Sequence, residues 1–475
     1  MDNRYKELGK NTVLLTIGSF SSKLLTFVLT PLYTTYMTTS DYGLVDLIST
    51  TVYLIMPFLT LSASEGILRF TLDKKNDKKQ IFSISFWILV IGFVILSLAT
   101  AAAPDNIIFE NHHLYFLLYY ITYAFLIVLQ QFVKGLNHIT TYTIAGITTT
   151  AITCILNMIF LTVFNMGANG YLISIIASNI FTIAFLCIKE KLWKYILPIG
   201  NINKDIFKSM MFYCIPLIPN SLSWWVSNSS DKYVLNYFWG IAFTGIYAVA
   251  YKIPSIISVV SNILTSAWQI SAVDGFESED FPQFFSSLYK RYSSVYSIIC
   301  SLIITVIKWL AVLLFAKDFF GAWKYAIILV FAAIFQSKSG FIGVIYTTAR
   351  KTTSIFLTTL LGAGSNVLMN FIFIPKFGAT GAAVATLMSY AIVWIARILG
   401  CRKIMKIDFG MLKETLVHCI IIVQCIISYV ELPNSFILNL ICSMLIIILY
   451  RDIFIELLYL IKNKYDNYSS QNKRK

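Results

Sequence analysis

Apolar residues along this chain come in blocks of about 20, separated by short stretches rich in Lys, Asp, Asn, Pro and Gly. A helix rises about 1.5 Å per residue, so each block is long enough to cross a hydrocarbon core of about 30 Å. The blocks predict spans at about 13–36, 42–70, 81–103, 113–133, 141–164 and 170–188, then 210–230, 241–270, 292–315, 323–349, 354–375 and 378–396, with two more at 414–431 and 435–458. Met1 to Lys10 form a polar leader. Lys23 interrupts the first apolar run and no small-residue cleavage site follows it, so that run reads as a retained span rather than a signal peptide.

Polar positions inside the blocks repeat. Gly167-Ala168-Asn169-Gly170, with Ser178 after it, recurs 211 residues later as Gly378-Ala379-Thr380-Gly381 with Ser389. Thr12, Thr16, Ser19, Lys23, Thr26 and Thr30 are spaced by threes and fours, one face of a helix. Asn220, Ser223, Ser227 and Ser230 follow the same phasing at an offset of 204, and Tyr42-Gly43-Leu44 is echoed by Thr244-Gly245-Ile246 at an offset of 202. The chain thus reads as a duplicated six-span unit with two spans added. The lobes are expected at 1–200 and 201–406, and the added pair with a cytoplasmic tail at 407–475. An even number of spans separates the copies, so both lobes have the same orientation, related by an axis along the membrane normal. The glycine-rich motif itself is expected to permit close helix approach at equivalent places.

Composition agrees with the pattern. The chain is 57% hydrophobic and 13% charged, with a mean hydropathy of +0.74, against about 25% charged residues in an ordinary soluble domain. This is the signature of an all-α polytopic membrane protein. The eight cysteines are scattered with no Cys-x-x-Cys pair, and His112, His113, His138 and His418 have no ligand-like company, so neither a disulfide framework nor a zinc site is expected.

Charge placement orients the spans. With the N-terminus inside, 29 of the 37 Lys and Arg fall on inside segments, four (Lys232, Lys317, Lys324, Lys376) on outside ones and four within spans. That asymmetry is the positive-inside rule. It places both termini in the cytoplasm, and it accounts for the net charge of +14 through anionic headgroups, without a nucleic-acid partner.

Charges inside spans are the candidate chemistry, because each costs about 2.5–3.5 kcal/mol at mid-helix on insertion scales. Lys308 and Lys338 read as snorkellers. Lys23, Asp46 and Lys252 lie on the first two helices of each lobe, where a central cavity is expected; they read equally as a substrate site or as scaffold, with Lys23 and Asp46 a possible pair. Ser19, Asn220 and Ser227 join them on the cavity face. A cationic cavity favours an anionic group, phosphate being the natural partner of Lys. Glu65 and Arg69, at i and i+4, read as a gate or, better, a helix-end salt bridge. Asp231-Lys232, expected at the outer end of the seventh span, is similarly ambiguous. Trp224, Trp225, Tyr233, Tyr237, Phe238 and Trp239 around it read as an interfacial belt.

Gly18-Ser19-Phe20, Pro31-Leu32-Tyr33, Asp41-Tyr42-Gly43-Leu44, Glu65-Gly66-Ile67-Leu68-Arg69-Phe70, Ser230-Asp231-Lys232-Tyr233 and Gly378-Ala379-Thr380-Gly381-Ala382-Ala383 resemble the Wzx-type polysaccharide flippases of the multidrug/oligosaccharidyl-lipid/polysaccharide exporter superfamily. The resemblance implies two six-helix lobes working by alternating access, carrying undecaprenyl-diphosphate-linked oligosaccharide across the cytoplasmic (inner) membrane for O-antigen, capsule or exopolysaccharide synthesis. It implies membrane lipids, a polysaccharide polymerase and a chain-length regulator as partners, and no cofactor. Family members use intramembrane charges, for which Lys23, Lys252 and Asp46 are residues of the matching kind. With Asp46 and Glu65 as the chief carboxylates near the membrane, an acidic proton relay is not evident, and the membrane potential is an alternative driving term.

Two other classes fit less well. A multidrug exporter of the same superfamily would place carboxylates rather than lysines in its cavity. A membrane polymerase or glycosyltransferase would need larger outside loops, and the acidic segment around Asp274, Glu277, Glu279 and Asp280 reads as a solvated connection.

Overall fold

The computed structural model describes residues 27–73, 75–102, 109–276, 278–349 and 351–451. Its regular structure is helical throughout: α1 (Thr30–Tyr36), α2 (Thr39–Leu59), α3 (Ala63–Leu72), α4 (Lys78–Ala102), α5 (His113–Gly135), α6 (Ile139–Met158), α7 (Gly167–Glu190), α8 (Lys204–Cys214), α9 (Ile218–Trp239), α10 (Ile241–Ala250), α11 (Lys252–Gly275), α12 (Phe281–Leu314), α13 (Trp323–Thr348), α14 (Thr352–Arg402), α15 (Met411–Val430) and α16 (Ser435–Leu449). Among the described residues nine helices are long and apolar enough to cross a membrane, or up to ten if α10 and the start of α11 count as one broken span. The protein is a polytopic membrane protein.

Several expected spans are divided or joined for local reasons. The block at 42–70 becomes α2 and α3, because Pro57 offers no amide to the helix ladder and Leu61 and Ser62 then turn through positive φ, 50° and 53°. The blocks at 354–375 and 378–396 run on as α14, broken at Gly378 (φ 55°, ψ −133°) just after Pro375. Gly167 opens α7 with φ +51°. Both copies of the motif therefore begin on a glycine at positive φ, where another residue would lose about 1–2 kcal/mol. Their serines act alike as well: Ser178 accepts a hydrogen bond from Thr153 at 2.7 Å, and Ser389 accepts one from Asn366 at 3.4 Å.

The chain groups into two compact units. The first comprises residues 1–252 with 314–320 and 367–379, and the second 253–313, 321–366 and 380–475. This grouping keeps α8, α9 and α10 with the first unit, although the repeat assigns them to the second lobe. In the first unit α5 packs on α7 and α3, and α6 packs on α7, around Phe132, Tyr120, Leu129 and Leu172. Lipid tails are as apolar as the helix surfaces, so polar stitches matter here. Thr149 bonds Thr182 at 2.8 Å, and Asn157 donates to the Tyr33 hydroxyl at 3.2 Å.

α2 and α10 approach closely at two glycines. A methyl group at Gly43 would lie 2.2 Å from the Ile241 carbonyl oxygen, and one at Gly245 would lie 1.9 Å from the Thr39 carbonyl oxygen. Shifting Gly43 and Thr39 by 202 residues gives Gly245 and Ile241. The two contacts are one contact made twice, the reciprocity that a local two-fold axis imposes.

Two charge clusters in the second unit hold the intramembrane lysines Lys308 and Lys338. Lys308 snorkels, as expected, to the end of its helix, 2.9 Å from Glu431 and with its ammonium 4.8 Å from the Trp323 ring centroid; Lys324 lies 3.0 Å from the same carboxylate. The Lys308 hydrogen bond, and then that of Lys324, hold Glu431 below the usual carboxylate range. A lowered carboxylate stabilises above its unfolded pKa and loses that increment as pH falls through the folded one. All three side chains are partly exposed, at 37–45%, so Glu431→Gln is expected to lower thermal stability only slightly, and less in high salt, measured by unfolding in detergent with and without added salt.

Lys338 does not snorkel. Its side chain is fully buried, 2.5 Å from Glu414 and 2.9 Å from His418 Nε2, and Glu414 also accepts from Ser293. Glu414 thus neutralises it, and His418, at i+4 from Glu414 on α15, accepts a hydrogen bond from it. The chain accordingly holds more carboxylates within its helices than the expected pair, since Glu414 and Asp231 are both buried.

Candidate functional site

The first unit holds a cavity of about 440 Å³ with its polar groups on seven helices. From α2 come Tyr42, Asp46, Ser49, Thr50 and Tyr53, from α5 Tyr119, from α6 Thr149, Thr150 and Thr153, and from α7 Tyr171. Tyr33 of α1, Ser229 and Lys232 of α9, and Lys252 at the head of α11 complete the polar lining. The α2 residues follow i, i+4, i+7 and i+11, one helical face. α2 starts cleanly because Thr38 and Asp41 form a reciprocal capping box.

At the centre Lys232 Nζ lies 2.8 Å from Asp46 Oδ2 and 3.0 Å from Oδ1. The pair is only partly exposed, 11% for the Lys232 side chain and 21% for Asp46, so it keeps much of its attraction while staying open to the cavity. Its geometry is held from behind. Trp225 donates to the Thr50 carbonyl at 2.8 Å, and Tyr233 bonds Thr51, both tying α9 to α2. Asp231 points away from the cavity; it is buried and accepts from Tyr247 at 2.7 Å and Tyr251 at 2.9 Å, which ties α9 to α10.

Aromatic rings form the walls. Tyr33 packs edge-on against Tyr171 at 5.0 Å, Tyr42 is 6.3 Å from Tyr33, and the Tyr53 and Tyr119 hydroxyls are 3.3 Å apart. The Lys252 ammonium sits 5.9 Å from the Tyr42 ring centroid, within cation–π range. Two lysines against one carboxylate leave the lining positive. Five tyrosines and a row of threonine and serine hydroxyls supply flat faces and hydrogen-bonding edges. Such a lining can hold a polar, ring-shaped group carrying negative charge.

Among the residues expected at the site, Asp46 and Lys252 line the cavity. Ser19 and Lys23 lie outside the described residues, and the partner found for Asp46 is Lys232. Lys232 is not at an outer helix end; it is buried at the cavity. Asn220 is exposed, and Ser227 is half-buried with its hydroxyl donating to the Ser223 carbonyl at 3.0 Å; neither lines the cavity. A serine stripe satisfies itself on its own helix, so its phasing alone does not point at a cavity. Glu65 and Arg69 are both exposed and form no ion pair with each other. Of the aromatic cluster, Trp224, Tyr237, Phe238 and Trp239 are exposed, whereas Trp225 and Tyr233 brace the cavity wall. The tyrosines are what sequence analysis misses. Their signal is the α2 face running from Tyr42 through Asp46 to Tyr53.

Comparison with known proteins places this geometry. Residues 8–269, more than half of the chain, match the family model described as polysaccharide biosynthesis protein. An uncharacterized membrane protein of Methanocaldococcus jannaschii is 41% identical over 49 residues, a match spanning 10% of this chain and 10% of that relative. Among solved structures, the lipid II flippase MurJ in an inward closed conformation superposes with a TM-score of 0.71 at 13% identity, over 93% of this chain and 100% of that one. An inward-facing multidrug resistance MATE family transporter of the MOP superfamily superposes with a TM-score of 0.64 at 14% identity, over 84% and 96%. Those likenesses are of fold.

Proposed function

We propose that this chain, which belongs to the polysaccharide biosynthesis protein family, is a flippase that moves an undecaprenyl-diphosphate-linked oligosaccharide across the cytoplasmic membrane by alternating access, for surface polysaccharide synthesis. The observation that carries this reading is the first unit's cavity, in which Lys232, Lys252 and Asp46 stand among five tyrosines. Two ammonium groups against one carboxylate favour a substrate with a phosphate or an acidic sugar and disfavour a cationic drug. Tyrosine faces suit sugar rings, and hydroxyl edges suit sugar hydroxyls.

In this reading the Asp46–Lys232 pair is the element that responds to the load. A substrate anion competes with Asp46 for Lys232, which loosens a contact between α2 and α9. The proposal keeps the two repeated lobes as the moving parts, with both termini cytoplasmic, and makes the membrane potential a contributor, since charge crosses the bilayer with the substrate.

Lys252→Ala and Lys232→Ala are each expected to reduce export at least tenfold at unchanged membrane expression, by the loss of one charge-assisted contact of about 1.5–3 kcal/mol. The measurement is surface glycan restored in cells lacking their own flippase, with membrane-inserted protein quantified in parallel. Full export by both variants would refute the cationic cavity. Asp46→Asn should retain binding but slow turnover, because the competing carboxylate is gone.

A further inference from the structure

A second cavity, of about 270 Å³, lies in the second unit where α15 begins. Lys290 and Arg291 of α12 and Lys413 of α15 line it, with Phe409, Glu414 and Tyr450. Three cationic side chains face one carboxylate, and that carboxylate is engaged, since Glu414 accepts from Lys338 and Ser293. Lys290 is paired with Asp408.

A further feature points to an anion. The turn at Gly410 (φ 62°) starts α15 without any side chain capping it, so its first amides, with the positive end of the helix dipole, are left to the cavity. The Tyr450 residue is 2% exposed and borders the same space. Its ring lies 5.4 Å from the Lys413 ammonium.

The surroundings select the source of the anion. α15 is long and apolar enough to span the membrane, so its first turn lies at headgroup level. Beside Lys413, Leu412 is 81% exposed and Leu416, one turn on, is 49% exposed, an apolar track leading from the cavity along the helix. A free phosphate has no use for that track, whereas an acyl chain does.

We propose that this cavity seats the phosphate of an anionic membrane phospholipid, with Arg291 and Lys413 on its oxygens and an acyl chain along Leu412 and Leu416. The site is separate from the tyrosine-lined cavity of the first unit and does not depend on its assignment.

The test uses the full-length protein purified into detergent and exchanged into nanodiscs of phosphatidylglycerol or phosphatidylcholine, with retained lipid counted by native mass spectrometry. Phosphatidylglycerol is expected to be retained over phosphatidylcholine. Lys413→Gln and Arg291→Gln are each expected to cut that retention about fivefold, and Lys208→Gln, an exposed lysine elsewhere, to leave it unchanged. Ser287→Glu, at an exposed lining position, puts a negative charge into the cavity without removing any packing group and should cut retention as far. Equal retention of the two lipids overturns the proposal, as does phosphatidylglycerol retention unmoved by Ser287→Glu in a folded protein. Displacement by millimolar inorganic phosphate to the same degree in wild type as in Leu412→Ser would make this a free-phosphate site and overturn the assignment to lipid.

Discussion

Gly245→Ala is expected to leave little correctly folded protein in the membrane. The added methyl carbon would sit 1.9 Å from the Thr39 carbonyl oxygen, far inside the 3.4 Å at which ordinary contact begins. That oxygen is backbone on the opposing helix, so no rotamer change relieves the clash, and α2 and α10 must part by more than an ångström. Overpacking of this kind costs about 1–3 kcal/mol and often more where the obstacle is rigid. Separation also strikes the site, because Asp46 lies one turn beyond Gly43 on α2 and meets Lys232 at 2.8 Å. The reciprocal change, Gly43→Ala, meets the Ile241 carbonyl at 2.2 Å and should behave the same way. Gly364→Ala is the control: nothing lies within 4 Å of its added carbon, and alanine favours a helix by about 0.5–1 kcal/mol. Size-exclusion profiles and thermal unfolding in detergent read the difference. A monodisperse Gly245→Ala protein with wild-type stability would show that α2 and α10 can part at little cost.

Lys338→Ala is the second large effect. It leaves Glu414, 3% exposed, without its ion-pair partner, beside Ser293 and His418. Breaking a buried ion pair from one side costs about 3–5 kcal/mol, most of it from the charge left without a partner. The double variant Lys338→Met with Glu414→Gln removes both charges, keeps similar volume and leaves Ser293 an acceptor; it is expected to recover most of that loss. Thermal unfolding of the two variants in the same detergent decides the point. If the double variant is no more stable than Lys338→Ala, the destabilisation came from packing around the lysine stem.

Helix positions were legible because burial in lipid demands long apolar blocks, and α4 to α7 follow the expected blocks within a few residues. Breaks were less so. Pro57 splits one expected block, whereas Pro375 lies within α14 ahead of its break at Gly378, so the residue type alone does not mark a break. Asp46 and Lys252 were legible because a charge in an apolar block is conspicuous. Lys232 was conspicuous too, but its position near the end of a block suggested an interface, and only the packing of α9 on α2 puts it against Asp46. The tyrosines of the cavity were hidden by their abundance, 28 in the chain.

By itself, the sequence determined the class, the all-helical membrane fold and the internal repeat, since these follow from the length, spacing and offset of local patterns that lipid enforces residue by residue. Tertiary structure alone decided which charges meet. Lys338 finds Glu414 76 residues away and Lys232 finds Asp46 186 residues away, and no local pattern encodes a partner at that distance. It also decided what the repeated glycines do. Gly43 and Gly245 look like weak echoes along the chain, yet they face each other's helices across one crossing, because a repeat folded about a two-fold axis brings equivalent residues together at that axis.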